Sequence, residues 1–560
     1  MTKKAIAKAF GTKIVCALCM MLFFAGEPRA QLLHQQETGT RQDSLRGGYG
    51  AGRNWWNVLK YDIRLLVNID EKFISGYNDI TYAILRNSKA PMQIDLQEPM
   101  EIEKIEDLNT RRPVTFRRDG NVYWINTSGI VANKKNSTIR IYFRGNPVVA
   151  KTPPWDGGWI FTKDEKGRNW VSTATQGIGA SSWLPCKDHQ ADEPDKGMTI
   201  NINVPDSLAA VSNGRLTSKT RNGNGTTDWK WTVTQPINTY LITPYIGHYV
   251  NFNDTLQGEK GKLDIGYWVL DYNREKAREH FKIVKPMLRC FEYWMGPYPF
   301  YEDSYKLIDA PHLGMEHQSG VAYGNKYLNG YLGKDRSGTG WGNDWDFIIV
   351  HESGHEWFAN NITTKDIADM WVHEAFTTYS EILFVQCRHG LKAANEYLIG
   401  QRKIIRNDKP IIGTYGINKE GSSDMYDKGA SMIHTIRQII NDDEKFRDLL
   451  RTLNRDFYHQ TVTGKQIENY IIRKTGIPLQ KVFDQYLRTT NIPVLTYTID
   501  GGKIHYKWTR CVPGFNMPVQ LANGQWLHPK EQYQEAPSDI LDNNLLHVDP
   551  NFYIKVEKAS

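Results

Sequence analysis

Residues 351–374 read HESGHEWFANNITTKDIADMWVHE, and this stretch decides how the rest of the chain is interpreted. His351 and His355 are four residues apart, so on a helix they lie on one face and can bind one metal ion. Glu352 follows the first histidine, and Glu374 lies nineteen residues beyond the second. Two neutral imidazoles and one carboxylate leave a fourth tetrahedral position open, which is typical of a catalytic rather than a structural zinc site.

The pattern outside this window predicts β structure at both ends of the chain and helices between them. Residues 54–255 contain short alternating runs broken by turn signals, and residues 491–560 return to alternation after a helical stretch. A capping-box pattern at Thr463 and Gln466 opens one predicted helix. The other predicted helices cover 274–294, 344–360, 372–390, 428–441 and 443–454.

Residues 1–30 have the pattern of an export signal. A basic stretch ends at Lys13, and the apolar run at 14–26 suits a signal sequence but is short for a membrane span. Ala30 offers a cleavage point before Gln31. We therefore expect a periplasmic or secreted protein with no membrane span after signal removal, with an uncleaved N-terminal anchor as the alternative. Residues 31–53, polar and Gly-rich, are expected to be a linker.

Charge and cysteine content exclude two classes of protein. The net charge is +7, but the predicted signal carries five cations against one carboxylate, which leaves only +3 for the remainder. So small a charge on so long a chain argues against nucleic-acid binding. Four scattered cysteines remain after residue 30, and they do not form a disulfide framework or a C-x-x-C metal motif. One disulfide bridge is compatible with export, but the sequence does not predict which two cysteines form it.

The string HESGHEWFANNIT…WVHEAFTTY resembles the zinc aminopeptidases of the gluzincin class, the family of aminopeptidase N and the leukotriene hydrolases. Upstream, residues 313–317 (LGMEH) are similar to the family's G-x-M-E-N motif. Downstream, residues 426–430 (YDKGA) are similar to its Y-x-K-G segment. A looser match covers residues 175–195, and together the matches run from about 60 to 490 in family order.

The resemblance implies a multidomain α and β fold. It would comprise an all-β, saddle-like N-terminal domain at 54–255, a thermolysin-like α+β zinc catalytic domain at 256–490 and a small β-sandwich-like C-terminal domain at 491–560. The family's long helical C-terminal domain has no counterpart in the sequence, so we expect a more open site or one closed by a partner subunit.

The resemblance also implies a role for each site residue. One Zn²⁺ per chain would be bound by His351, His355 and Glu374, with a water whose pKa falls toward neutrality. Glu352 would be the general base and Tyr426 the hydrogen-bond donor to the tetrahedral oxyanion. The free amine of a peptide substrate would be bound by Glu316, assisted by Gln176. The other motif positions, Gly314, Met315 and His317, would line the substrate site.

Three positions depart from the family pattern: Leu313 stands where the exopeptidase motif begins with Gly, and two histidines replace Asn. His317 stands where the exopeptidase motif closes with Asn, and His373 stands before the ligand glutamate where Asn is typical. These substitutions add titratable rings near the site without removing a ligand or the base. Each histidine could be the hydrogen-bond partner of a carboxylate, a contact to the substrate or a packed neutral ring.

The leading hypothesis is a zinc-dependent aminopeptidase that hydrolyses N-terminal residues from peptides. An endopeptidase or other zinc hydrolase on the same scaffold is one alternative, against which Glu316 argues because an internal residue offers no ammonium group. A peptide-binding protein with a relic zinc site is another, although every ligand and catalytic position is filled. The sequence leaves the preferred first residue, the oligomeric state and an epoxide-hydrolysing side activity open.

Overall fold

The computed structural model describes residues 39–128, 136–543 and 545–559 of the 560-residue chain. The predicted export signal, residues 1–30, lies outside the described residues and stays a prediction. Among the described residues, no helix has the length and apolar character needed to cross a membrane.

Residues 39–53, hereafter the N-terminal segment, were expected to form a linker but pack against the rest of the chain. They contain helix α1 (Arg41–Gly47), whose capping box is closed by Thr40 and Asp43. Arg53 is fully buried and its guanidinium forms an ion pair with Asp95 at 2.5 Å. The glycine-rich composition concealed these long-range contacts, since nothing in the local pattern indicates a partner for Arg53.

Seventeen strands lie among the described residues between 56 and 270. They are Trp56–Asn68 (β1), Phe73–Ile84 (β2), Met92–Asp95 (β3), Glu101–Asp107 (β4), Arg112–Pro113 (β5), Phe116–Asp119 (β6), Val122–Ile125 (β7), Asn136–Gly145 (β8), Gly158–Lys163 (β9), Asn169–Ala174 (β10), Met198–Pro205 (β11), Ala209–Val211 (β12), Arg215–Arg221 (β13), Thr226–Val233 (β14), Tyr245–Gly247 (β15), Tyr249–Gly258 (β16) and Gly261–Leu270 (β17).

The first fifteen strands make the predicted all-β N-terminal region. Its largest sheet has eight strands in the order β13-β14-β11-β1-β2-β8-β4-β5, beside sheets of order β3-β7-β6 and β12-β15-β10-β9. Strand β1 buries alternate side chains, as its alternating sequence predicts. Turns at Asp119-Gly120 and Asn222-Gly223 connect β6 to β7 and β13 to β14. Strand β10 leads directly into the loop that carries Gln176.

The later strands form the sheet beside the site and the C-terminal β structure. They are Tyr305–Asp309 (β18), Gly314–Met315 (β19), Val321–Tyr323 (β20), Ile362–Thr364 (β21), Gln460–Val462 (β22), Val494–Asp500 (β23), Lys503–Thr509 (β24), Val519–Gln520 (β25), Trp526–Leu527 (β26), Gln534–Pro537 (β27) and Lys555–Lys558 (β28). The mixed sheet β16-β17-β18-β20-β19 ends at the strand that precedes Glu316. The C-terminal sheet has the order β27-β24-β23-β28, beside the hairpin β25-β26.

Helices dominate between residues 274 and 488. They are Arg274–His280 (α2), Val284–Met295 (α3), Phe347–Gly354 (α4), Trp371–His389 (α5), Leu391–Gln401 (α6), Asp427–Ile440 (α7), Asp443–Asp456 (α8), Gly464–Thr475 (α9) and Gln480–Arg488 (α10). The predicted capping box at Thr463 and Gln466 opens α9. The helix predicted for 274–294 is divided by a 3-10 turn at Phe281–Ile283.

Two hydrophobic cores support this arrangement. One lies within the N-terminal β region and the other joins the helices to the C-terminal sheet, so the C-terminal strands complete the core of the catalytic region. A disulfide joins Cys290 of α3, a residue of the second core, to the exposed Cys387 of α5. The structure thus confirms the predicted fold class, with sheets first, helices in the catalytic region and β structure at the end.

Candidate metal centre and active site

Helix α4 presents the first two metal-facing residues. Asp346 caps the helix by accepting hydrogen bonds from the backbone N–H groups of Ile348 and Ile349 at 2.9 and 3.2 Å. His351 lies in the helix, whereas His355 is the residue just after its last turn. The predicted helix 344–360 is therefore too long at both ends. His355 keeps helical backbone angles, φ −62° and ψ −19°, so the two rings still face the same side.

Helix α5 supplies the third residue, Glu374, from its first turn. The two helices pack closely because Gly354 has no side chain: a Cβ there would lie 2.3 Å from the Oγ of Ser380 on α5. Close packing of α4 and α5 brings Glu374 opposite both histidines. The structure thus brings together three residues that are separated in the sequence by a loop, by strand β21 and by the start of α5.

The three side chains converge on one point. Their ligand atoms all lie within 4.8 Å of one another, and all three side chains are buried. Glu374 Oε2 lies 3.3 Å from His355 Nε2 and 3.7 Å from His351 Nε2. Burial opposes ionisation of Glu374, but the neighbouring imidazoles of His355 and His351 outweigh it and hold its pKa below the ordinary range.

The far nitrogen of each histidine is already engaged. His351 Nδ1 lies 2.8 Å from Glu381 Oε1, on α5. His355 Nδ1 lies 3.0 Å from both the carbonyl oxygen of Phe358 and the hydroxyl of Thr377. Because an Nδ1–H that donates to an oxygen leaves Nε2 as the free lone pair, these contacts aim both Nε2 atoms at Glu374.

This donor set fits a zinc ion. Glu374 Oε2 is buried and accepts no hydrogen bond from any described residue, which is costly for a carboxylate oxygen unless a cation faces it. Two imidazole nitrogens, each supported from behind by a hydrogen bond at Nδ1, and one carboxylate oxygen are the ligands of an open tetrahedral site. The residues that would hold the ion are His351, His355 and Glu374.

Glu352 lies beside this cluster and faces strand β19. Glu352 is 8% exposed. Burial raises its pKa to about 7, although the neighbouring His351 and His355 act to lower it. Gly314 allows this position, because a Cβ at residue 314 would lie 2.7 Å from Glu352 Oε1. A buried carboxylate with a raised pKa is able to take up and release a proton near neutral pH.

Glu316 follows β19 and lies close to both Glu352 and His355. Glu316, Glu352 and His355 each present one atom within 4.8 Å of the others. The Oε1 atom of Glu316 accepts hydrogen bonds from Gln176 Nε2 at 2.7 Å and from the Tyr240 hydroxyl at 3.2 Å. The N-terminal β region thus supplies two side chains to the carboxylate that the sequence linked to amine binding, one of them the predicted Gln176.

Tyr426 lies at the start of α7 and faces the same cluster. Its ring centroid is 6.0 Å from that of His351, with an angle of 28° between the planes. Burial, followed by the negative charge of Glu374, raises its pKa well above the usual value, so the phenol keeps its proton. The structure therefore places the Tyr426 phenol, which keeps its proton, beside the histidine cluster.

The two histidines that depart from the family pattern are both buried and uncharged. His373 Nε2 accepts a hydrogen bond from the backbone N–H of Thr364 at 2.8 Å, and burial lowers its pKa to about 3. His317 Nδ1 lies 2.5 Å from the Tyr245 oxygen. Because the Tyr245 hydroxyl donates to the carbonyl of Gly320 at 3.0 Å, the His317 ring donates to Tyr245. Both histidines therefore hold neighbouring backbone or loops in place.

Several contributors to the site were not found from the sequence. Glu381 orients His351, and its other oxygen accepts from Tyr397 and Gln401 at 3.3 and 3.2 Å. Glu381 lies seven residues after Glu374, two turns along the same helix, and that spacing was a usable signal. Tyr240 carried no such signal, because nothing near it in the sequence distinguishes it from the other tyrosines.

Comparison with known proteins agrees with this geometry. A family model described as the peptidase M1 N-terminal domain matches residues 57–241, and one described as the peptidase family M1 domain matches residues 280–486. Together they cover most of the chain, and each contains its part of the site described above. The chain belongs to peptidase family M1.

Curated relatives carry aminopeptidase names. Probable aminopeptidase 1 of Saccharolobus solfataricus is 20% identical over 475 residues, covering 81% of this chain and 56% of that protein. Aminopeptidase B of Rattus norvegicus is 24% identical over 344 residues, covering 57% of this chain and 49% of that protein. The chain spans about half the length of the curated relatives it matches.

A solved structure is similar over nearly its whole length. It is an M1 zinc metallopeptidase from Deinococcus radiodurans, described with a bound Tyr-Ser-Ala substrate, 20% identical with a TM-score of 0.65. The match covers 79% of this chain and 96% of that one. At this level of identity the similarity establishes the shared fold.

Proposed function

We propose that this chain is an exported zinc-dependent aminopeptidase that removes residues from the free N-terminus of peptides. The observation that carries the proposal is the position of Glu316 beside the histidine cluster. A peptide whose ammonium group binds Glu316 would bring its first carbonyl group to His351, His355 and Glu374. An acceptor that recognises only a free amine restricts cleavage to the end of the chain.

Zinc at these three residues would supply a Lewis acid that polarises a carbonyl group and lowers the pKa of a water molecule. His351 and His355 would hold it through Nε2, because their Nδ1 atoms are occupied. Membership of family M1 and the aminopeptidase names of its relatives support this choice of metal and reaction class.

Glu352 would be the proton carrier. It would take a proton from the attacking water and deliver it to the amine that leaves. Support comes from its place in α4 directly after His351 and from the absence of a side chain at Gly314, which leaves room for the Glu352 carboxylate. Its burial keeps bulk water away from the transferred proton.

Tyr426 would stabilise the tetrahedral oxyanion. Its hydroxyl keeps a proton to donate, and the bond strengthens as negative charge develops on the substrate oxygen. Support comes from the packing of its ring against His351. Gln176 and Tyr240 would hold Glu316 in place and offer further polar contacts to the substrate amine.

Cleavage of aminoacyl-arylamides and their N-acetylated counterparts tests the activity. We expect hydrolysis of free-amine substrates only, lost in Glu352→Gln by about 1,000-fold or more in kcat. Glu316→Ala should raise KM and weaken discrimination against blocked substrates. Glu275→Gln, whose side chain is 85% exposed on α2, is the matched control and should behave as the unsubstituted protein. Hydrolysis of blocked substrates would instead identify an endopeptidase.

Export rests on the apolar run at 14–26 and is supported by the Cys290–Cys387 disulfide, since such bonds persist in oxidising compartments. N-terminal sequencing of the protein purified from its native compartment tests it. A mature N-terminus near Gln31 in the periplasm or medium is expected. Full-length protein retained with the membrane fraction would favour the uncleaved anchor.

A further inference from the structure

A polar crevice opens beside the amine-binding carboxylate. Its walls come from the N-terminal segment, the loop after β10, and the loops around residues 366 and 418 of the catalytic region. Two of its lining residues, Gln176 and Tyr240, are the ones that hydrogen-bond Glu316. The crevice is therefore adjacent to the place where a substrate's ammonium group would bind.

The position of the crevice matches one substituent of the substrate. The Cα of a peptide's first residue carries an amine, a carbonyl group and a side chain. The amine is directed to Glu316 and the carbonyl to the histidine cluster, so the side chain must leave in a third direction. None of the three metal-facing residues lines the crevice, which adjoins Glu316 through Gln176 and Tyr240 and so offers space in that direction.

The N-terminal segment brings a cation to this crevice. Arg46 donates to the carbonyl oxygen of Gly177 at 2.6 Å, and Asn418 donates to the same oxygen at 3.1 Å. Gly47 lies so close to the loop opposite that a Cβ there would be 2.2 Å from the backbone nitrogen of Asn418. Residue 46 precedes the first residue that the family models match, so this wall is a feature of this chain and not of the matched domains.

Some hydrogen-bonding groups in the crevice have partners within the protein and others do not. Arg46 makes no ion pair with any described residue, and its buried Nε has no hydrogen-bond partner among them. The carboxylate of Asp366 already accepts from the backbone N–H groups of Ala368 and Gly416, at 3.0 and 2.8 Å. Asp188 Oδ2 accepts from both the N–H and the hydroxyl of Ser181. Arg46 Nε is therefore an unpaired donor at the crevice, whereas both lining carboxylates already accept hydrogen bonds.

We propose that this crevice receives the side chain of the substrate's first residue, and that Arg46 makes it select side chains ending in a hydrogen-bond acceptor, such as Gln and Glu. This inference rests on the proposed aminopeptidase activity. Arg46 is a specificity-determining residue in this scheme. A buried donor left unpaired by an apolar side chain penalises that substrate, whereas an amide or carboxylate oxygen satisfies it.

Near-isosteric substrates test the proposal. With the zinc-loaded protein, we expect kcat/KM for a glutaminyl-arylamide to exceed that for a methionyl-arylamide by about tenfold, the scale of one charge-assisted hydrogen bond. Arg46→Met should abolish that ratio, because the glutaminyl substrate loses its hydrogen bond and the methionyl substrate no longer leaves a buried donor unpaired. Arg41→Met is the matched control: Arg41 lies on the same helix, pairs with Asp119 and is 63% exposed, and its substitution should preserve the ratio.

Calorimetric binding of free L-glutamine and L-methionine separates this inference from the activity. Stronger binding of glutamine that is lost in Arg46→Met supports the crevice assignment, whether or not any arylamide is cleaved. Absence of cleavage together with this binding would overturn the proposed activity alone. Equal or stronger binding of methionine overturns the inference. So does an equal loss for every substrate in Arg46→Met, which would show that the residue acts only on folding or on positioning of the loop.

Discussion

Single atoms decide the geometry of the metal centre. Each metal-facing histidine is held at Nδ1 by an oxygen: Glu381 of α5 for His351, and the carbonyl of Phe358, three residues further along the chain, for His355. These contacts fix the rotation of each ring, so Nε2 has one direction in which to point. The orphaned oxygen of Glu374 completes the set.

Gly314 gives a prediction at the residue scale. A methyl group at this position would meet Glu352 Oε1 at 2.7 Å and the Ile348 Cγ2 at 2.8 Å. Gly314→Ala should therefore displace Glu352 and lower kcat about 10- to 100-fold, as small misplacements of a catalytic group do. Steady-state kinetics with an aminoacyl-arylamide measures it.

Gly320→Ala is the matched control for that change. The nearest atom to a Cβ at residue 320 is the Ile308 Cδ1 at 3.5 Å, an ordinary contact, and the backbone there is not left-handed. Its kinetics should stay close to those of the unsubstituted protein. Equal kcat in the two alanine variants would show that Glu352 tolerates the added methyl group.

At the scale of elements, helix α5 connects the site to the core. It carries Glu374 in its first turn, Thr377 and Glu381 behind the histidines, and Cys387 in its last turn. The disulfide from Cys387 to Cys290 ties α5 to α3 across a sequence separation of 97 residues. The helix that supplies a ligand is thus anchored at the end remote from the site.

Loss of this disulfide should destabilise the catalytic region. A cross-link that closes a loop of this size restricts the unfolded chain, so Cys290→Ala with Cys387→Ala should lower the free energy of unfolding by about 2–5 kcal/mol. Chemical denaturation with and without reductant measures it. Cys511→Ala, which removes a cysteine that is not disulfide-bonded, should have little effect. An unchanged unfolding midpoint in the double variant would contradict the expectation.

At the scale of the whole molecule, the ligands of the metal centre come from two helices of one core. That core continues into the C-terminal sheet, where Tyr486 donates to the carbonyl of Tyr553 at 2.6 Å. The N-terminal β region contributes Gln176 and Tyr240, which donate hydrogen bonds to Glu316. The site therefore takes side chains from both the N-terminal β region and the catalytic region.

Metal binding should accordingly stabilise the folded chain. A ligand that binds only the folded state at about 100 times its Kd adds about 2.7 kcal/mol. We expect a chelator to lower Tm and added zinc to restore it, measured by calorimetry. The double variant His351→Ala, His355→Ala should lose this response. If zinc and chelator shift the Tm of that variant by the same amount, the stabilising metal binds at a different site.

Much of the fold could be predicted from local pattern. The alternation in β1, the hairpin turns and the capping box of α9 depend on neighbours within a few residues, so short-range sequence contains the information. The N-terminal segment could not be predicted in this way. Its burial depends on Asp95, Gly177 and Asn418, which are distant in sequence.

The same division applies to the site. The spacing of His351, His355 and Glu374 was enough to indicate the metal and its open position, because ligand chemistry and helical periodicity are local properties. The partners of Glu316 and the wall formed by Arg46 required the folded chain. Those contacts join residues separated by more than 60 positions, and only the packing of the β region against the helices brings them together.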